Sequence, residues 1–148
     1  MKMSLKFLKL IFFLLILSLP GFAQDKDGLV GKWLNASGEG QIMIYKRGDR
    51  YAGRLFWMKE PLDENSKPKR DSKNPNTAHK NRPLLGVEIL NNFVYAGNGI
   101  WEEGSIYDPK TGKTYSCKIT MVNNNKLNIR GYVGISLLGR TEIWQRVQ

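Results

Sequence analysis

The chain has 148 residues, 41% of them hydrophobic and 24% charged, with a formal net charge of +10. Its single cysteine excludes an intramolecular disulfide, and one histidine beside one cysteine is too small a set for an ordinary zinc site, so no metal or cofactor is expected. The positive charge would admit nucleic acid in a cytoplasmic protein, but the first residues point to export, where anionic small molecules or envelope surfaces are the fitting partners.

Lys2, Lys6 and Lys9 precede an apolar run from Leu10 to Leu19, followed by Pro20-Gly21-Phe22-Ala23, the pattern of a secretory signal peptide cut after Ala23. The run falls short of the roughly 20 residues that span a bilayer. Gln24 rather than a cysteine follows the cut, which argues against a lipid anchor. Residues 24–148 are then a soluble periplasmic or secreted chain with no transmembrane segment, of a size for one domain with its own core. Losing the three lysines leaves a formal charge of about +7.

Short alternating runs follow in order. Gly31-Lys32-Trp33 leads to a turn at Ser37-Gly38-Glu39-Gly40, and Gln41 to Tyr45 and Arg50 to Met58 pair as a hairpin about Lys46 to Asp49. In the second of these, Tyr51, Leu55 and Trp57 share one face and Ala52, Phe56 and Met58 the other. Lys59 to Pro83 reads as a loop containing Pro61, Pro68, Pro75 and Pro83, and loops this long in small domains are usually functional or disordered. Strands resume at Gly86 to Leu90, turn at Asn91-Asn92, and continue through Phe93 to Ala96. Trp101 to Tyr107, Thr114 to Met121, Lys126 to Tyr132 and Arg140 to Val147 complete the series. Tyr115, Cys117, Ile119 and Met121 fall on one face, which makes Cys117 a buried small hydrophobe. An all-β antiparallel meander of eight or nine strands is best closed into a barrel, which removes exposed edges; a two-sheet β-sandwich is the alternative.

The long loop carries the densest polar chemistry. Asp71 and Asn74 suit side-chain to backbone turns, with Pro75 setting the bend. Arg82 either holds a ligand anion through its planar fork or ties the loop down by pairing with Asp71. His79 lacks companions for metal binding, and Asp63-Glu64-Asn65-Ser66-Lys67 lacks the glycine and closing glutamate of a calcium loop. Glu102 and Glu103, adjacent on a strand, leave on opposite faces and cannot act as a glycosidase pair. Glu103 shares the face of Trp101, Ser105 and Tyr107; turned inward, it would need an arginine such as Arg54 or Arg130, and the pair could orient a ligand. Tyr107 to Gly112 is turn chemistry, with Asp108 as acceptor and Gly112 free to take positive φ.

Gly31-x-Trp33 resembles the opening of lipocalin-type and streptavidin-like barrels, in which the tryptophan packs against an arginine of the last strand, here Arg140 or Arg146. Asp71-x-x-Asn74-Pro75, Arg82-Pro83-Leu84-x-Gly86, Gly104-x-Ile106-Tyr107-Asp108-Pro109-x-x-Gly112-Lys113-x-Tyr115, Gly131-Tyr132-x-Gly134 and Gly139-Arg140-Thr141-x-x-Trp144-x-Arg146 together resemble the bacterial domain-of-unknown-function family 2147, over Leu29 to Arg146. The resemblance implies an exported, lipocalin-like barrel and carries no activity or catalytic residues. The family's Asn-Pro-Asp reads Asn74-Pro75-Asn76 here. The expected function is binding of a small anionic or amphipathic ligand through Asp71, Asn74, Arg82, Glu103 and Tyr107, with the loop near the barrel mouth. A filled barrel serving as an envelope interaction module and a hydrolase using the loop are the alternatives, and the oligomeric state is open.

Overall fold

A computed structural model describes residues 25–148, so the expected signal peptide lies outside the described residues. Eight strands, β1 (Gly31–Leu34), β2 (Gly40–Arg47), β3 (Arg50–Met58), β4 (Glu88–Gly97), β5 (Ile100–Asp108), β6 (Lys113–Asn123), β7 (Lys126–Tyr132) and β8 (Arg140–Arg146), follow one another around a closed barrel. Every neighbouring pair is antiparallel, and β1 closes on β8 through Trp33 opposite Arg146 and Leu34 opposite Gln145. The expected meander and its closure into a barrel are both present; a sandwich is not formed.

Period-two alternation sets the inside. On β6 Cys117, Ile119 and Met121 are buried, while Lys118 and Thr120 are only part-buried between them. Phe93 and Trp101 are also fully buried, and a side chain at Gly104 would collide with the Phe93 ring, so this inward position admits only glycine. Cys117 is buried as expected, and burial pushes its thiol up to about 12.

One end of the barrel is plugged. The 3-10 turn Lys26–Leu29 drops Leu29 inside, where its carbonyl accepts the Trp33 Nε1 proton at 2.9 Å. Arg146 lies 4.2 Å from the Trp33 ring centroid and donates to the Gly28 carbonyl at 2.6 Å and the Val30 carbonyl at 3.2 Å. Of the two arginines offered by the sequence as partner of Trp33, it is therefore Arg146.

Three expectations are corrected by irregularities in the strand pairing. Asn91-Asn92 is not a turn between strands: β4 runs through it, with Asn92 at φ 67° and the three-residue step from Leu90 to Phe93 set against the two-residue step from Gly53 to Tyr51. That removes the ninth strand. Beside it, Trp101 to Gly104 of β5 faces only Ile119 to Cys117 of β6, and Glu103 takes φ 61°. The extra residue throws Glu102 and Glu103 both outward, so Glu103 does not share the buried face of Trp101. Its partner is Arg50, at 3.6 Å, which also donates to the Asn92 carbonyl at 3.3 Å and so fastens the two bulges together. Arg54 instead lies over the Tyr45 ring, and Arg130 binds the β7–β8 connection. A third irregularity, opposite Gln41 and Ile42, switches the phase of β3. Tyr51 and Leu55 consequently belong to the core, while beyond the switch it is Met58, not Trp57, that packs inward.

Candidate functional site

The strand order sends four connections to the unplugged end: residues 35–39, 59–87, 109–112 and 133–139. Between them a cavity of about 790 Å³ opens into the barrel. Its wall is apolar, formed by Ile42, Leu55, Ile89, Ile106, Ile129 and Trp144 among others, and its rim carries Glu39, Lys59, Lys69, Lys110, Arg140 and Glu142. The volume lies in the roughly 300–1,000 Å³ range of small-molecule sites. A second hollow of about 510 Å³, at the plugged end, is lined by Asn123, Asn124, Asn125, Lys126 and Gln145 and offers no large apolar side chain.

Rim charge is partly internal. Lys110 of the β5–β6 turn and Glu39 of the β1–β2 turn meet at 2.6 Å. Those turns stand on opposite sides of an eight-stranded barrel, so the pair bridges the mouth. Lys69 approaches Glu60 at 3.9 Å. Among the described residues Lys59 and Arg140 have no ion-pair partner, while Glu142 acts on Lys110 through its charge without a close contact. Trp144, at the apolar wall, is buried, and its Nε1 proton has no partner among the described residues.

The long loop is anchored beside this mouth by a clasp centred on Asp71, which is fully buried. Tyr107 of β5 donates its hydroxyl proton to Oδ1 at 2.6 Å. Oδ2 accepts from Arg82 Nε at 3.0 Å, Arg82 Nη2 at 2.9 Å and Asn74 Nδ2 at 2.9 Å. Burial pushes the Asp71 carboxyl up, but the hydrogen bonds from Tyr107, Asn74 and Arg82 outweigh it and hold the carboxyl below its usual range. Tyr107 is pushed up to about 12 by burial and by the same carboxylate. Asn74 Oδ1 accepts from the Asn76 amide at 2.8 Å, and Asn76 Oδ1 caps the short turn Thr77–His79 by accepting from the Ala78 amide at 3.0 Å. This capping needs only an acceptor, which Asn76 supplies in place of an acid.

Against the β5–β6 turn the loop packs still more closely. A side chain at Gly112, whose φ is 74°, would overlap the Lys73 carbonyl. Asp108 organises that turn by accepting from the Lys110 amide at 2.9 Å and the Thr111 hydroxyl at 3.0 Å. Four of the five residues singled out from the sequence, Asp71, Asn74, Arg82 and Tyr107, are thus brought together, and Tyr107 also borders the cavity. Glu103 stands apart on the outer surface with Arg50. The cavity wall was missed in the sequence because the inward face of each strand depends on bulges that alternation does not reveal; Gln41 to Tyr45 and Lys126 to Tyr132 nonetheless carry the right period.

A closed up-and-down barrel, plugged at one end by a Gly-x-Trp strand and hollow at the other, is a lipocalin-like barrel. The chain belongs to the family described as uncharacterized proteins conserved in bacteria, DUF2147, whose model matches residues 31–146. Among solved structures it is similar to a protein of Helicobacter pylori, HP1028, described as belonging to the lipocalin family, at a TM-score of 0.71 and 23% identity over 81% of this chain and 83% of that one. That likeness shows the fold alone. No curated protein sequence matches the chain. Among the described residues no helix is long and apolar enough to cross a membrane.

Proposed function

We propose that the protein is an exported barrel that binds a small amphipathic molecule in its open-end cavity. The carrying observation is an apolar-walled space of about 790 Å³ that opens through a charged rim. The apolar part of the ligand lies against Ile42, Leu55, Ile106, Ile129 and Trp144, and its polar end meets the rim. Arg140 and Lys59, the rim cations without partners, favour an anionic end. Tyr107 contributes an edge of the wall, while Asp71, Asn74 and Arg82 act as positioning residues that hold the loop over the mouth. Glu103 is outside the site. Asp71 is not offered as a catalytic base, since both its oxygens are engaged. Export is supported by the lysine-flanked apolar run ahead of Pro20 to Ala23.

The test uses 8-anilinonaphthalene-1-sulfonate, an anionic amphipathic fluorophore, with dodecanoate as competitor. Gly131 borders the cavity, and a Cβ there would sit at ordinary contact distances of 3.6 Å from Ile106 and 3.7 Å from Tyr115, so Gly131→Phe projects a ring into the space. Saturable fluorescence enhancement reversed by dodecanoate, weakened at least about tenfold in Gly131→Phe, is expected. Equal binding by a folded Gly131→Phe protein would contradict the cavity as the site, and no binding by the native protein would favour a barrel without a ligand.

A further inference from the structure

The β7–β8 connection is unlike the rest of the surface. From Gly131 to Gly139 there is no charged residue, and Val133, Ile135, Leu137 and Leu138 are 73%, 58%, 83% and 79% exposed. The other exposed large hydrophobics stand singly along the chain, and none exceeds 52%. Scattered exposed apolar residues need no explanation, but four within six positions at the rim of a cavity do.

The posture of this segment is built. Arg130, on β7, donates from Nε to the Ser136 carbonyl at 2.6 Å, from Nη2 to the Leu137 carbonyl at 3.3 Å and from Nη1 to the Thr141 hydroxyl at 2.8 Å. Gly139 packs so closely that a Cβ there would lie 2.7 Å from the Gly131 carbonyl. With its carbonyls held from below, the turn Ser136–Leu138 presents its leucines outward. It is a protruding apolar tip, not a groove that would receive another chain.

We propose that residues 133–138 are a membrane-docking wedge that inserts into the interface of a bilayer containing anionic lipids. The apolar tip enters the acyl boundary. Arg140 directly after it lacks an ion-pair partner among the described residues and meets the headgroups, and Lys113, which starts β6 opposite Asp108, stands at the same end of the barrel. Glu142 is the one acid nearby on β8. Gly131 and Arg140, at the two ends of the segment, both line the cavity, so docking sets its mouth against the lipid surface. The wedge does not depend on what the cavity holds.

Sedimentation with vesicles tests this. Native protein should co-sediment with mixed phosphatidylethanolamine and phosphatidylglycerol vesicles more than with phosphatidylcholine vesicles. Leu137→Ser with Leu138→Ser should lower partitioning at least about tenfold, while the thermal melt is kept because both side chains are already in water. Native and variant proteins share one N-terminus, so the difference reports the wedge. Arg140→Gln should weaken only the binding to anionic vesicles, and Gly131→Phe should leave vesicle binding intact even where it blocks the fluorophore. Equal partitioning of native and double-serine proteins overturns the proposal. So does a native protein that self-associates in sedimentation velocity, loses that association on double substitution and ignores vesicles, since the tip would then be a contact between copies of the chain.

Discussion

Asp71 is sealed from solvent yet held in its ionised form, because Tyr107, Asn74 and Arg82 donate to its two oxygens. Asp71→Asn keeps the shape but removes the charge and places an amide where donors converge, so a loss of about 2–4 kcal/mol is expected in urea denaturation at neutral pH. The sign with pH follows from a folded pKa below the unfolded value of about 3.9: the stabilisation is fully present above that value and is lost as pH falls through the lower, folded pKa. The gap between native and Asp71→Asn proteins should therefore shrink as pH drops below about 4, and a gap independent of pH would contradict an ionised Asp71. Cys117 makes an independent check on the core. With its thiol pushed up to about 12 and no exposed surface, it should resist iodoacetamide at pH 8 in the folded protein and react once unfolded.

The strands were legible in the sequence wherever apolar residues alternate without interruption, as from Tyr115 to Met121. Asn92 and Glu103 show where legibility ended. A bulge adds one residue to meet the geometry of closure with neighbouring strands, and nothing local in Asn91-Asn92 or Glu102-Glu103 distinguishes it from a turn or a regular step. The loop was read in part: Asp71, Asn74 and Arg82 were visible as a clasp, but Tyr107 as its third donor came from a strand 36 residues away. Docking of the loop on the β5–β6 turn is open to a direct test. Gly112→Ala combines positive φ with overlap of the Lys73 carbonyl and should cost about 2 kcal/mol or more, whereas Gly48→Ala, at φ 64° with nothing within 4 Å, should cost only about 1 kcal/mol. Gly112→Ala should also speed tryptic cleavage at Lys69, Arg70 or Lys73, and unchanged cleavage would mean that the loop is held elsewhere.

At the scale of the molecule, the plug and the cavity divide the barrel between them. Leu29, Trp33 and Arg146 close one end, and at the other a cavity opens that reaches down to the buried Ile129 and Trp144. Closure itself could be anticipated from strand count and the need to hide edges, but hollowness could not, since it depends on which side chains point inward and how far they reach. The most direct measurement is an amide and indole NMR titration of the folded protein with dodecanoate. The indole proton of Trp144 and the amides of Ile129 and Gly131 should shift together and saturably, while the indoles of Trp33 and Trp101, buried away from the cavity, stay fixed. Shifts confined to the outer surface, or none at saturating dodecanoate, would contradict the account.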